Sequence, residues 1–108
     1  MYFLMYNKFV DINTIRRFIK IGEFFVKDHA LIESFKERID FDDIFFAINN
    51  GEIIENYPER NRCLIFATLQ TKLYLHIVVD YYSETYIDIV TVYIPNSKKW
   101  IKGRIRRR

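Results

Sequence analysis

The chain has 108 residues, half of them hydrophobic and 18% aromatic, with only three Gly and two Pro. That is enough for one core and too short for two, and the mix excludes a disordered or a Gly/Pro-rich fibrous chain. The formal net charge is +3, but seven of the 17 cations are Lys98, Lys99, Lys102, Arg104, Arg106, Arg107 and Arg108. All 14 acids precede them, so an acidic body carries a basic end. Such an end suits a phosphate backbone or an acidic protein surface. The expected organisation is a single domain over residues 1–101 and a basic C-terminal tail at 102–108.

No apolar run approaches the roughly 20 residues that span a bilayer. The opening Met1-Tyr2-Phe3-Leu4-Met5-Tyr6 is apolar but short, without the basic leader and small-residue cleavage site of a signal peptide. A lone cysteine, Cys63, excludes an internal disulfide and a Cys-rich zinc site. The expectation is a cytoplasmic chain with no membrane contact and no cofactor.

In chain order, Asp11 caps a predicted helix over 12–21, where Ile12, Ile15, Phe18 and Ile19 share a face and Gly22 is the stop. Glu23 to Lys27 is a short strand or extended link. Asp28 is the expected N-cap of a second helix over 29–37, with His29 in its first turn. Asp40 caps a third, with Asp43 in the capping-box position and Ile44, Phe45, Ala47 and Ile48 as the buried stripe. Asn49-Asn50-Gly51 ends it.

The period then changes. Glu52–Tyr57, Arg62–Leu69, Leu73–Asp80 and Thr85–Ile94 read as strands, with a turn at Tyr57-Pro58. Pairing consecutive runs gives an α+β fold: N-terminal helices on one face of an antiparallel sheet of about four strands. Alternation puts Leu73, Leu75, Ile77 and Val79 on one face and Tyr74, His76, Val78 and Asp80 on the other. A two-residue turn near Ser83 would set Ile89, Thr91 and Tyr93 on the His76 face, and Val90, Val92 and Ile94 in the core.

The two histidines are the first candidates for proton transfer, since imidazole titrates near neutrality. Separated by 46 residues and lacking a short-spaced partner, they match no zinc signature. There is no P-loop, dinucleotide fingerprint or Gly-x-Ser-x-Gly elbow. Metal-independent RNA cleavage needs a base for the 2′-hydroxyl, an acid for the leaving oxygen and cations for the phosphate. His29, His76, Tyr93, Arg38, Arg62 and Lys99 are residue types that fill these roles. A non-catalytic module docking protein or nucleic acid, and a homodimer paired through a strand edge, fit the same composition.

Several phrases resemble the family known as domain of unknown function 4258. They are Asp28-His29-Ala30, Arg38-Ile39-Asp40, Asp43-Ile44 and Asn50-Gly51-Glu52-Ile53-Ile54-Glu55-Asn56-Tyr57-Pro58. Leu75-His76-Ile77-Val78-Val79, Thr91-Val92-Tyr93-Ile94-Pro95 and Lys99-Trp100 continue the order, so the likeness covers about residues 11–101. The family is similar to the RelE/BrnT ribonuclease toxins, which implies helices packed on a curved antiparallel sheet. It further implies a type II toxin that cleaves messenger RNA without metal, on the ribosome or off it. The implied partner is an antitoxin, for which the resemblance points to a zinc-finger protein of MqsA/YgiT type. His29, His76, Tyr93 and Trp100 fall on recurrent family positions. On this reading His29 is the base, His76 the acid or a phosphate ligand and Tyr93 a hydrogen-bonding helper. Arg38, Arg62, Lys99, Trp100, Arg104 and Arg106 contact RNA. The chain departs from the family pattern at Glu33 and Ser34, where an Arg is usual, and at Gln70-Thr71-Lys72, which lacks a usual glycine.

Overall fold

The computed structural model describes residues 10–108; the Met1–Tyr6 run lies outside them. Helix α1 (Ile12–Lys20) begins at Asp11, whose carboxylate accepts from the Asn13 amide at 3.0 Å. It buries Ile15 and Phe18 and ends in Gly22, at φ +79°, a left-handed conformation that costs glycine no Cβ clash. Strand β1 (Phe24–Val26) leads into α2 (Asp28–Lys36). Here the expected cap is displaced by one residue. Lys27 is the N-cap and its side chain makes no capping hydrogen bond, while Asp28 is the first helical residue. An acid in the first turn still complements the helix dipole, so the sequence signal was real but its offset was not.

Helix α3 (Phe41–Asn50) carries the full reciprocal capping box between Asp40 and Asp43, at 2.9 and 3.2 Å. Ile44, Ala47 and Ile48 are buried. Arg16 of α1 reaches its far end, donating from Nε to the Ile48 carbonyl at 2.8 Å and from a terminal nitrogen to that of Gly51 at 2.9 Å. Those carbonyls would otherwise lack helical partners, so one guanidinium both caps α3 and ties α1 to it.

Strands β2 (Glu52–Tyr57), β3 (Arg62–Thr68), β4 (Tyr74–Asp80) and β5 (Ile87–Tyr93) form the expected antiparallel run. The sheet has a fifth strand: β1 pairs parallel to β5, giving the order β1-β5-β4-β3-β2. It is therefore mixed, not the four-stranded antiparallel sheet that hairpin logic predicts. A three-residue strand whose partner lies some 60 residues away leaves no local turn signal to read. The helices lie on one face. Cys63, Ile65, Ala67, Leu75, Ile77, Val79, Ile87, Ile89 and Val92 meet Ile15, Phe18, Ala30, Ile44, Ala47 and Ile48 there in one core.

Two bulges decide what faces outward. In β5 the register runs Val78↔Thr91 then Val79↔Ile89, so Val90 is the extra residue. Thr91 and Tyr93 share the outer face with His76, as alternation predicts, and Val92 is core. Ile89 is buried in the core and Val90 only half-buried, which corrects the expected placement of both. The β4–β5 link also spans residues 81–86 and not two. In β2, Ile53↔Ile65 is followed by Glu55↔Leu64, so Ile54 is extra and Glu55 turns outward beside Glu52.

The outer face is partly covered by the chain's own end. Strands β6 (Trp100–Ile101) and β7 (Ile105–Arg106) form a short antiparallel ribbon laid over β3 and β4. Gly103 at its turn is buried with φ +73°, and a Cβ there would come within 2.8 Å of the Tyr74 side chain. Arg104 pairs with Glu52 and lies over the Phe66 ring; Arg106 pairs with Glu55 and lies over the Trp100 ring. Most of the expected basic tail, residues 102–107, is thus folded against the sheet or held in the ribbon.

Among the described residues no helix is long and apolar enough to cross a membrane.

Candidate functional site

The outer face of β2–β5 gathers most of the chemistry that the helices leave out. His76 stands at its centre, opposite Tyr93 in β5 and Phe66 in β3. It has no exposed surface. Trp100 closes over it edge-on, with ring centroids 4.5 Å apart. Its Nε2 is 2.6 Å from the Gly103 carbonyl oxygen and its Nδ1 is 3.0 Å from the Tyr93 hydroxyl. A carbonyl can only accept, so the proton sits on Nε2; in the neutral ring Nδ1 then accepts from the Tyr93 O–H. Burial pulls the His76 pKa below its ordinary value, and the bond to Gly103 opposes that shift only in part. The neutral tautomer is the one that matches both partners.

Beside this buried pair a cleft of about 260 Å³ opens on the part of the sheet that the ribbon leaves bare. Leu64, Val78 and Thr91 line it, and Glu55, Tyr57, Arg60, Arg62 and Arg106 bring charge and hydroxyl groups to it. Arg62 makes a bidentate bond to Asp80, 2.6 Å from Nε and 3.0 Å from a terminal nitrogen. Arg106 does the same with Glu55 at 3.1 and 3.0 Å. Tyr57 donates its hydroxyl to Glu55. The Arg106 hydrogen bond holds the Glu55 carboxyl below its usual range despite partial burial, so it is ionised at neutral pH. Sharing its proton with Glu55 raises the Tyr57 pKa, and burial raises that of Tyr93. Both phenols stay protonated.

The residues singled out from the sequence divide in two. His76, Tyr93, Trp100, Arg62, Arg104 and Arg106 all lie on the outer face or the ribbon that covers it. His29 and Arg38 do not. His29 is exposed in the first turn of α2, and Arg38 is exposed at φ +58° between α2 and α3. Both belong to the helical layer, and the sheet stands between them and His76. A shared acid–base pair of His29 and His76 is therefore not assembled. Lys99 is exposed at the foot of the ribbon, where its carbonyl accepts from the Arg107 amide. Trp100 is 4% exposed and acts as a lid on His76, so it offers no free face for stacking a base.

Glu55, Tyr57, Arg60 and Thr91 were missed. Thr91 carried the signal, since alternation already put it on the His76 face. Glu55 did not, because only the bulge at Ile54 turns it outward. Tyr57 and Arg60 bracket Pro58, where the 3-10 turn Pro58–Arg60 followed by left-handed Asn61 folds the chain back over the β2–β3 end.

A model of the family DUF4258, described as a domain of unknown function, matches residues 26–94. No curated protein and no solved structure matches the chain. The matched span runs from the end of β1 through β5, and so contains every strand of the cleft floor while leaving out the ribbon.

Proposed function

The chain belongs to the DUF4258 family, and from that premise we propose that it is the toxin of a type II toxin–antitoxin pair, an endoribonuclease that cleaves messenger RNA without a metal. The reading rests on one observation: three guanidinium groups, a phenol and an ionised carboxylate converge on a cleft in the outer sheet face, beside the buried His76–Tyr93 pair. Arg62, Arg106 and Arg60 would take the phosphate and spread the charge that develops on it. Glu55, ionised in the cleft, would take the 2′-hydroxyl proton directly as the attacking oxygen bonds to phosphorus. Tyr93, whose own proton is held by His76, would be a hydrogen-bonding helper beside it. The departing 5′-oxygen would face the guanidinium groups, which stabilise its charge until water protonates it. In this scheme His76 is a positioning residue, and His29, Arg38 and Lys99 have no part in the chemistry. An antitoxin would silence the protein by covering the cleft.

The test is incubation of the purified chain with end-labelled RNA, with and without EDTA and with and without ribosomes. The expected result is cleavage that survives EDTA, falls about a hundredfold in Arg62→Ala and Glu55→Gln, and is unchanged in His29→Ala. Cleavage lost in His29→Ala, or absent under every condition, would overturn the scheme.

One observation favours a second reading. Arg62 and Arg106 already hold carboxylates in bidentate bonds, so the cleft presents paired charges. A non-catalytic module that exchanges those partners for phosphates or acidic side chains needs nothing more. Salt-sensitive RNA binding without strand cleavage would distinguish it.

A further inference from the structure

A second cluster lies one strand over from the cleft, where β1 meets β5. Asp88 of β5 is 2% exposed. Its Oδ2 accepts from the Tyr82 hydroxyl at 2.7 Å, and the Lys27 ammonium stands off at 3.9 Å with most of its side chain in water. Oδ1 has no hydrogen-bond partner among the described residues. Directly opposite in register lies a second acid, Asp80, whose charge is taken up by Arg62. Asp88 is thus a buried carboxylate beside a like charge, with one weakly placed cation to balance it.

Above it stand three aromatic rings, each at right angles to the next. Phe25 and Tyr86 lie 5.3 Å apart at 89°, and Tyr86 and Tyr82 lie 6.0 Å apart at 85°. Phe25 and Tyr82 are 59% and 49% exposed, a large solvent exposure for an aromatic wall. With Lys27, Asp28 and Asp88 they line an open groove of about 440 Å³. Perpendicular ring walls over a buried carboxylate form a site for an organic cation: the ring faces attract it electrostatically and the acid neutralises it.

We propose that this groove binds the guanidinium side chain of an arginine from a partner protein, with Asp88 as counter-ion and Phe25 and Tyr86 as walls. A guanidinium can lie flat on a ring while its edge donates to Oδ1; a compact, strongly hydrated ammonium cannot do both. Lys27 illustrates the point, since it is tethered at the rim and remains solvated. The chain itself builds the same pairing twice. Arg106 lies 4.5 Å over Trp100 while bonded to Glu55, and Arg104 lies 5.2 Å over Phe66 while bonded to Glu52. The groove has the ring and the carboxylate of that arrangement and lacks its arginine.

The experiment is a titration of the ¹⁵N-labelled full chain with the blocked peptide acetyl-Gly-Arg-Gly-amide, followed by amide shifts. Peptides with Lys or citrulline in place of Arg serve as controls. The expected result is saturable shifts at Lys27, Tyr86 and Asp88 with the Arg peptide alone. Affinity should fall about fivefold in Tyr86→Leu and rise about twofold in Lys27→Met, which removes the resident competitor. Asp88→Asn should abolish binding; should that variant not fold, Tyr86→Leu and Lys27→Met still decide the matter. Equal binding of the citrulline or Lys peptide, shifts scattered over the acidic surface, or affinity unaltered by Tyr86→Leu would overturn the proposal.

Discussion

The imidazole of His76 is tied to the main chain of Gly103, 27 residues further on, through an Nε2–H that donates to the carbonyl at 2.6 Å. That bond joins the centre of the sheet to the ribbon that covers it, and it requires the ring to stay neutral at Nδ1 if Tyr93 is to donate there. The end of the chain is thus part of the fold, held by a side chain that alternation had already placed on the outer face.

The first prediction concerns acid stability. Burial lowers the folded-state pKa of His76 from 6.5, so the unfolded chain takes up the proton first. Its contribution is fully present above about pH 6.5 and is lost as pH falls from there toward the folded value, by at most about 1.4 kcal/mol per unit. Urea midpoints measured between pH 7.5 and 5.5 should fall in the wild-type chain. The decline should flatten in His76→Gln, whose amide can still donate to Gly103. An unchanged slope in that variant would assign the acid sensitivity elsewhere.

Gly103→Ala should release the ribbon. The substitution meets both a left-handed backbone and the Tyr74 ring, and the cost should be about 1–3 kcal/mol. Trp100 is the single tryptophan and is buried over His76. Its fluorescence should shift to the red in the variant under native conditions, while far-ultraviolet dichroism stays near wild type.

Cys63 should be inert. Burial raises its thiol pKa to about 12, so almost no thiolate exists at neutral pH. Ellman's reagent should not react with the native chain and should titrate one thiol in guanidinium chloride. Rapid reaction without denaturant would mean that β3 opens locally.

Asp80→Asn should separate stability from binding. It breaks the bidentate bond to Arg62, a partly buried pair worth roughly 1 kcal/mol. The same change frees a guanidinium in the cleft. If the cleft takes phosphate, fluorescence anisotropy at low salt should show labelled RNA bound about threefold more tightly, although the variant unfolds at lower urea. Weaker RNA binding would indicate that Asp80 is needed to aim Arg62.

Local chemistry made much of the fold readable. The three helices, the Asp40–Asp43 capping box and the four long strands follow from apolar period and cap residues within a few positions of each other. That Tyr93 shares a face with His76 was equally legible. Their direct pairing was not: the longer link at 81–86 and the bulge at Val90 together change the register but leave Tyr93 on the same face.

What the chain by itself determined is which stretches are helix or strand and which face of each is apolar, because those depend on neighbours spaced by two or by 3.6 residues. Only the tertiary structure decided what covers the other face. Arg104 and Arg106 meet Glu52 and Glu55 across 52 and 51 residues, β1 finds β5 in parallel, and the bulge at Ile54 turns Glu55 into the cleft. No periodic signal encodes such contacts. They arise when a ribbon of charged and aromatic residues buries Trp100 and Gly103 on a sheet face that already presents complementary acids and a histidine able to accept one hydrogen bond and donate another.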